Sequence, residues 1–320
     1  MICENCNSSN VTLIDEYKFN VEFDKKFFHE LKIANCKDCK FSFAFPPIKD
    51  DVLEKYYSHI YRSSDRPHVT NMSDTFTDQF LGYMSSLTTF VEIKKIKKVY
   101  EIGPGTGMFG MMLKKLNPEI IIYCVEPDIY SQKILQERGY IIIDNDNDPA
   151  LNNSIDLVVS IHSMEHFPSL KSFNQSYLSK LKLGGYFFFE VPNCKFHENF
   201  LERVYDSPHL LFFNKESITA YAKHNGLTKI SILETSNSIE VANESMAQWK
   251  EKHSNWKPSS SLKITSWTIS FIKSKLKFIL NNILRIDIKK LENESNPDSK
   301  IANFYHNNSN GWCVRGLLRK

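Results

Sequence analysis

Three groups of residues in this chain have types and spacings that do chemistry. Cys3-x2-Cys6 and Cys36-x2-Cys39 are two thiol pairs separated by 29 residues. Each pair fits on one tight knuckle, and four thiolates make a closed tetrahedral set that suits a structural Zn²⁺. A redox role is the weaker reading, because neither pair opens a helix behind a strand. The second group is Glu101-Ile-Gly103-Pro-Gly105-Thr-Gly107, behind the apolar run Val99 to Ile102. Glycines there allow a sharp turn and let a ligand reach bare backbone, and the helix start that follows presents unpaired N–H groups. The third group is a set of histidines that titrate near neutrality and so make the natural proton acceptors. His162 heads His162-Ser-Met-Glu165-His166, His209 closes Tyr205-Asp-Ser-Pro-His209, and His197 lies between them. Glu165 and His166 serve equally well as caps for the helix expected after them.

These residues need elements to hold them. Helix-period spacing from Thr75 to Phe90 leads into the strand Val99 to Ile102, the glycines and a helix carrying Met111, Met112, Leu113 and Leu116. The pattern then predicts strands at 120–125, 140–143, 155–160, 186–191 and 229–234, with helices at 129–138, 170–181 and 215–224. Phe187 to Phe189 form a continuous apolar run that suits burial on both sheet faces. Alternation of this kind marks a doubly wound α/β sheet, whose ligand sits at the carboxyl ends of the strands. Upstream, Val11 to Ile14 and Phe19 to Phe23 alternate as strands, and Pro46-Pro47 end that module. Residues 49–62 predict a short helix whose Tyr56, Tyr57 and Tyr61 either cover a cofactor or pack against the next domain.

Bulk properties narrow the classes. The 320 residues carry a net charge of only +3, too little for a protein whose main partner is nucleic acid. Residues 1–50 hold eight acids against seven bases, so the cysteine module reads as structural or as a lid on a neighbouring site. Met-Ile-Cys-Glu-Asn-Cys lacks the apolar core of a signal peptide, and no apolar run is long enough to span a bilayer. A cytoplasmic protein is expected. Residues 251–290 carry nine bases and two acids, and residues 262–286 read as an amphipathic helix. Peripheral membrane contact through 262–286 is one reading. An insertion that covers the sheet edge or makes a dimer contact is preferred, and the sequence sets no oligomeric state.

Two glycine registers overlap. Gly105-x-Gly107-x-x-Gly110 fits the dinucleotide fingerprint, and Glu101-x-Gly103-x-Gly105-x-Gly107 fits an S-adenosylmethionine loop. The dinucleotide fingerprint puts its first glycine directly after the strand, but Gly103-Pro104 precede Gly105 here. The other register brings the strand straight to Gly103, with Glu101 at its end to meet a cationic amino group. Strand placement therefore favours it. Glu126, closing the next strand, suits ribose hydroxyls in either case.

The chain resembles class I S-adenosylmethionine-dependent methyltransferases, specifically the zinc-ribbon-bearing group that includes nucleotide-sugar C- and O-methyltransferases. The likeness covers about residues 1–235 and rests on several ordered motifs. They are Cys36-Lys-Asp-Cys39-Lys-Phe-Ser-Phe-Ala-Phe-Pro-Pro, Glu101-Ile-Gly-Pro-Gly-Thr-Gly107 and Asp156-Leu-Val-Val-Ser-Ile-His-Ser-Met-Glu-His-Phe-Pro168. Leu181-Lys-Leu-Gly-Gly-Tyr-Phe-Phe-Phe-Glu-Val-Pro-Asn193 and His209-Leu-Leu-Phe-Phe-Asn214 continue the series. The resemblance implies a Rossmann-like sheet of seven strands, one antiparallel, completed by Trp312 to Leu318. It also implies a cofactor site of Glu101, Gly103, Gly105, Gly107 and Glu126, with Asp144 toward adenine. His209 is the first candidate base, His162 the second and His197 the third. Related sugar C-methyltransferases carry a Tyr-x-Glu-His-like element where this chain has Pro208 before His209, which favours O-methylation of a sugar.

The expected organisation is a zinc-binding module at 1–47, a linker with a short helix at 48–74 and a methyltransferase core at 75–236. A helical insertion at 237–310 and the last core strand at 311–320 follow. The expected activity is methyl transfer to a sugar or nucleotide sugar in surface polysaccharide synthesis. An NAD(P)-dependent oxidoreductase and a non-catalytic zinc-dependent scaffold are the alternatives.

Overall fold

The computed structural model describes residues 1–16, 28, 31–59, 82–84, 86–143, 149–194, 209–235 and 313–320. The expected strand at 19–23, Tyr61, Asp144, His197 and the amphipathic helix 262–286 lie outside the described residues.

The strands around the glycine loop are built from residues with no route to water. β4 (Lys98–Ile102), β5 (Ile121–Val125), β6 (Ile141–Ile142), β7 (Ile155–Ile161) and β8 (Leu181–Pro192) pair in parallel. β10 (Thr228–Thr235) and β11 (Cys313–Arg319) complete a seven-stranded sheet in the order β10-β11-β8-β7-β4-β5-β6. β11 runs antiparallel to both neighbours, the arrangement expected of the last strand. The chain winds outward from β4 to β6, returns to β7 and winds the other way, so strand order switches between β4 and β7. Ligands of such sheets bind at that switch.

Helices cover both faces. α2 (Met108–Leu116) and α3 (Ile129–Glu137) follow β4 and β5, and α4 (Leu170–Ser176) and α5 (Lys215–His224) follow β7 and β8. The phenylalanine run divides between the two faces with the period of a strand. Phe187 and Phe189 pack with Tyr100, Phe173 and Ile218 on one side. Phe188 packs with Val99, Phe109 and Leu317 on the other. Each buried ring contributes on the order of 1.5–3 kcal/mol. Across from Phe189, Gly316 supplies the space for the ring, because a Cβ there would overlap it.

Two predicted boundaries shift for packing reasons. The helix expected to run to Leu181 ends at Ser176, where Tyr177 turns its ring in among Tyr100, Phe167 and Phe173. Leu181 then already belongs to β8, which starts five residues before the predicted Tyr186. Tyr140, expected to open a strand, precedes β6 because its side chain is drawn inward under the glycine loop.

A second, antiparallel sheet holds the cysteine module. β1 (Val11–Glu16), β2 (Lys32–Cys36) and β3 (Ser42–Phe45) are joined at the edge by β9 (Leu211–Phe212), in the order β1-β2-β3-β9. The module is thus closed by a strand from beyond residue 200. α1 (Asp50–His59) packs beneath it, with Tyr56 buried against Phe28. No helix among the described residues is long and apolar enough to cross a membrane.

One ion pair lies wholly inside the protein. Glu190 of β8 and Arg315 of β11 sit opposite each other in register, both fully enclosed. Arg315 Nε donates to Glu190 Oε2 at 2.9 Å, and Nη2 lies equally close as an ion contact outside hydrogen-bond alignment. Nη1 donates to the Gly82 carbonyl and to Ser86 Oγ, and the guanidinium lies 4.7 Å from the centre of the Tyr83 ring. The hydroxyls of Tyr83 and Thr235 donate to Oε1 and Oε2 of Glu190 at 3.0 and 2.9 Å. Arg315→Met should lower stability by about 3–5 kcal/mol in urea unfolding, since it strands a buried carboxylate. Adding Glu190→Gln to it should recover part of the loss; a double variant as unstable as the sum of the singles would refute the coupling.

Candidate functional site

β4 runs straight into Gly103, and the loop turns through positive φ at Gly103, Gly105 and Gly107 before α2 begins at Met108. Gly110 lies inside α2, where a Cβ would overlap the Tyr140 hydroxyl and crowd Ile122. It therefore sets how closely α2 lies on the sheet. Gly105 differs from the other glycines of this stretch: a Cβ there would meet nothing within 4 Å. Its outer face is open, the shape needed by a ligand that lies along the loop.

Two carboxylates hold the loop. Glu126, at the end of β5, accepts the Gly105 N–H through Oε2 at 2.9 Å and the Asp128 N–H through Oε1 at 3.0 Å. Glu101 lies deeper, only 4% exposed, and accepts the Tyr140 hydroxyl at 3.0 Å, which also donates to the Gly107 carbonyl at 2.7 Å. Burial pushes its pKa up to about 8 against the hydrogen bonds from Tyr140 and the Gly110 N–H, and nearby Glu126 adds to the rise. Glu101 thus braces the loop from beneath, with part of its carboxylate already spent on the protein.

Beyond β7 the chain turns at His162, whose φ of 51° is in the left-handed region. Ser163 Oγ donates to the Ile102 carbonyl at 2.9 Å and sits where a Cβ of Gly103 would go, which ties this turn to the glycine loop. His162 Nε2 lies 3.2 Å from Glu190 Oε1, and Nδ1 lies 3.6 Å from Glu165 Oε1. Burial opposes its protonation, but the neighbouring Cys313, Glu165 and Glu190 outweigh that and raise its pKa well above the ordinary imidazole value.

Glu165 and His166 belong to a 3₁₀ turn, Met164–His166, and do not cap α4, where Ser169 Oγ accepts the Ser172 N–H and Glu4 accepts from Leu170 and Lys171. His166 faces His209 with ring centres 4.9 Å apart, and Tyr57 Oη lies 3.0 Å from His166 Nδ1. His162 and His209, far apart in sequence, thus stand on either side of Glu165. The sequence does not mark Glu190, Arg315 and Tyr140 as site residues, and Tyr57, read there as a cofactor cover or a packing residue, meets His166 instead. A charged residue of each sign inside otherwise apolar strands was the available signal for Glu190 and Arg315. Nothing local marks Tyr140.

Residues 77–232 match the family described as "Methyltransferase domain". Residues 77–232 thus carry a methyltransferase domain. No curated protein sequence matches the chain. Solved structures of similar shape include a candidate sarcosine dimethylglycine methyltransferase from Galdieria sulphuraria, at 16% identity, 85% of this chain, 98% of that one and TM-score 0.45. Another is an S-adenosylmethionine-dependent methyltransferase from Thermotoga maritima, at 20% identity, 50% of this chain, 78% of that one and TM-score 0.40. The N-methyltransferase NodS of Bradyrhizobium japonicum WM9, solved with S-adenosyl-L-homocysteine, shares 12% identity over 59% of this chain and 93% of its own, with TM-score 0.41. None of these likenesses bears on the acceptor.

The four-cysteine cluster flanks the methyltransferase sheet. Cys3 and Cys39 sulfurs lie 3.7 Å apart and Cys6 and Cys36 sulfurs 3.6 Å apart, and all four fall within 4.8 Å of one another. A tetrahedron with metal–sulfur bonds of about 2.3 Å has edges of about 3.8 Å, so the set fits such an ion. The two knuckles are alike: Asn7 and Lys40 follow their cysteines at positive φ and donate N–H to the carbonyls of Cys3 and Cys36. Asn5 Nδ2 reaches Cys39 Sγ and the Ser217 carbonyl, tying the cluster to α5 of the methyltransferase domain.

The folded protein holds a proton on Glu101 up to about pH 8, whereas its ordinary value is 4.5. Its stabilising contribution is therefore complete below 4.5 and lost as pH rises through 8. Stability of the ligand-free protein relative to Glu101→Gln should fall between pH 5 and about pH 8.5 in urea unfolding. A difference independent of pH would show that this carboxyl is not protonated in the fold.

Proposed function

We propose that the protein transfers a methyl group from S-adenosylmethionine to a hydroxyl of a sugar or nucleotide sugar, in the cytoplasmic synthesis of surface polysaccharide. The observation that carries this reading is the open face of Gly105, on a loop that Ser163 ties to the turn bearing His162, Glu165 and His166, with His209 against His166. The cofactor brings an electrophilic methyl group, so the protein's task is to orient two ligands and accept a proton. The loop through Gly103, Gly105 and Gly107 holds the methionine portion by its backbone. Glu126 takes the ribose hydroxyls, and Glu101 keeps the loop in shape through Tyr140; the ammonium of a bound cofactor would displace the proton that Glu101 holds in the ligand-free protein. Asp144, outside the described residues, is the proposed adenine contact.

The acceptor is held by the cluster beyond β7. Both nitrogens of His162 face carboxylates, which makes it a donor that orients rather than a base. His209 is the residue proposed to receive the acceptor's proton, with His166 and Glu165 behind it. Pro208 in place of an acid beside it favours oxygen over carbon as the methylated atom. Cys3, Cys6, Cys36 and Cys39 are proposed to bind a structural Zn²⁺ that holds β2 and β3, and through them β9 and His209.

Gly105→Val should weaken S-adenosyl-L-homocysteine binding at least tenfold by calorimetry, since its side chain would enter the open face. Unchanged affinity in a folded variant would refute the cofactor pose. His209→Asn should cut kcat by about 10²–10⁴ with cofactor affinity kept; a nucleotide-sugar panel read by mass spectrometry supplies the acceptor. Cys39→Ser should lose the near-stoichiometric zinc expected of the wild type, and a native protein without zinc would rule out the structural site.

A further inference from the structure

We infer that Glu165, His166 and His209 form a binding site for a divalent first-row transition-metal cation on the acceptor side of the cleft. One ligand atom from each lies within 4.8 Å of the others. The strongest pointer is Glu165 itself. It is 1% exposed, and its Oε2 has no hydrogen-bond partner among the described residues. A buried carboxylate oxygen left in that state is costly and calls for a positive partner. Its other oxygen lies 3.6 Å from His162 Nδ1 and 4.0 Å from His166 Nε2, both too long for hydrogen bonds. Ligand atoms sharing one ion at about 2.1 Å stand roughly 3.0–3.5 Å apart, so a small contraction closes the set.

The surroundings are those of a built site. The Tyr57 hydroxyl at His166 Nδ1 orients the ring so that Nε2 is the nitrogen on the Glu165 side, the role of an outer-shell partner. Leu210 N–H donates to the Glu165 carbonyl at 2.7 Å, and the Leu210 carbonyl accepts the Ala44 N–H at 2.7 Å. His209 is thereby pinned against the turn that carries the other two ligands. Two imidazoles and one carboxylate suit Mn²⁺, Fe²⁺, Co²⁺ or Zn²⁺ better than Mg²⁺ or Ca²⁺, and three protein ligands leave positions open. Those positions would take acceptor oxygens and acidify a bound hydroxyl, whose proton then passes to water. This role, though not the site, rests on the methyl-transfer reading above. With the cation in place His209 is a ligand, and the ion does the work otherwise given to a base.

The test titrates Mn²⁺ alone into full-length protein that retains its thiolate-bound metal, because thiolate sites disfavour Mn²⁺. Electron paramagnetic resonance should show one saturable Mn²⁺ per chain, weakened at least tenfold in Glu165→Gln and in His209→Asn. Added Mn²⁺ should raise the melting temperature of the wild type and leave that of Glu165→Gln unchanged, a readout that a folding defect alone does not mimic. The site is overturned if Mn²⁺, Fe²⁺, Co²⁺ and Zn²⁺ all fail to bind outside the four cysteines. Binding equally tight in Glu165→Gln overturns it as well. S-adenosyl-L-homocysteine binding, measured on the same samples, separates the two ideas. Cation binding without it keeps the site and removes its proposed role.

Discussion

A single carboxylate, Glu190, holds the two halves of this structure in relation. It sits at the inner end of β8 with no exposure, and such a charge survives there only if every acceptor position is answered. The answers come from four directions: Arg315 on the last strand, Tyr83 in the helical residues 82–84, Thr235 at the end of β10, and His162 beyond β7. Three of these elements form the far edge of the sheet and its cover. The fourth is the turn that lines the cleft. The alignment of the histidine turn is therefore settled by the same group that seats the last strand, and Arg315 keeps the carboxylate charged despite burial.

From that turn a second chain of contacts runs to the cysteine cluster. The Glu165 carbonyl accepts from Leu210, Leu210 accepts from Ala44 on β3, and β3 pairs with β9 and with β2, which ends at Cys36. The Asn214 side chain donates to the Lys40 carbonyl, next to Cys39. The module is thus one wall of the cleft, and its fourth strand and the cleft's His209 come from the same short segment. A metal at the four sulfurs would stabilise that segment at a distance, because the links from Glu165 through Leu210 and β3 to β2 are backbone hydrogen bonds with little freedom to shift.

The sequence was most legible where chemistry and chain are contiguous. Val99 to Gly110 spell strand, loop and helix within a dozen residues, and the turns at Gly103, Gly105 and Gly107 follow from local sterics. The doubly wound sheet was legible because burial on both faces writes continuous apolar runs such as Phe187 to Phe189. The four cysteines could be paired off by spacing alone. What stayed hidden depends on the third dimension. Nothing around Arg315 says that it faces Glu190, 125 residues away in sequence. The closing of the cysteine sheet by Leu211 and Phe212 is equally non-local, and so is the contact of Tyr57 with His166. Helix ends near Tyr177 and the start of β8 moved because packing of one ring outweighs local propensity.

The two sides of the cleft are consequently different kinds of site. On the proposed reading the donor side is mainly backbone: a loop of glycines, braced by two carboxylates, would hold a cofactor whose shape never changes. The acceptor side is assembled from side chains on separate segments: Tyr57, the turn 162–166 and His209, with Glu190 behind them. A surface of that kind can exchange one side chain without disturbing the loop, which is how a shared donor site comes to serve different acceptors. Its cost is visible in Glu165, a buried charge whose needs are only half met by the residues around it. Cores do not keep such a group for stability, since an apolar residue of the same size would pack there at lower cost. Its presence on the acceptor side, between two histidines and a short step from the glycine loop, is the mark of a position kept for its chemistry.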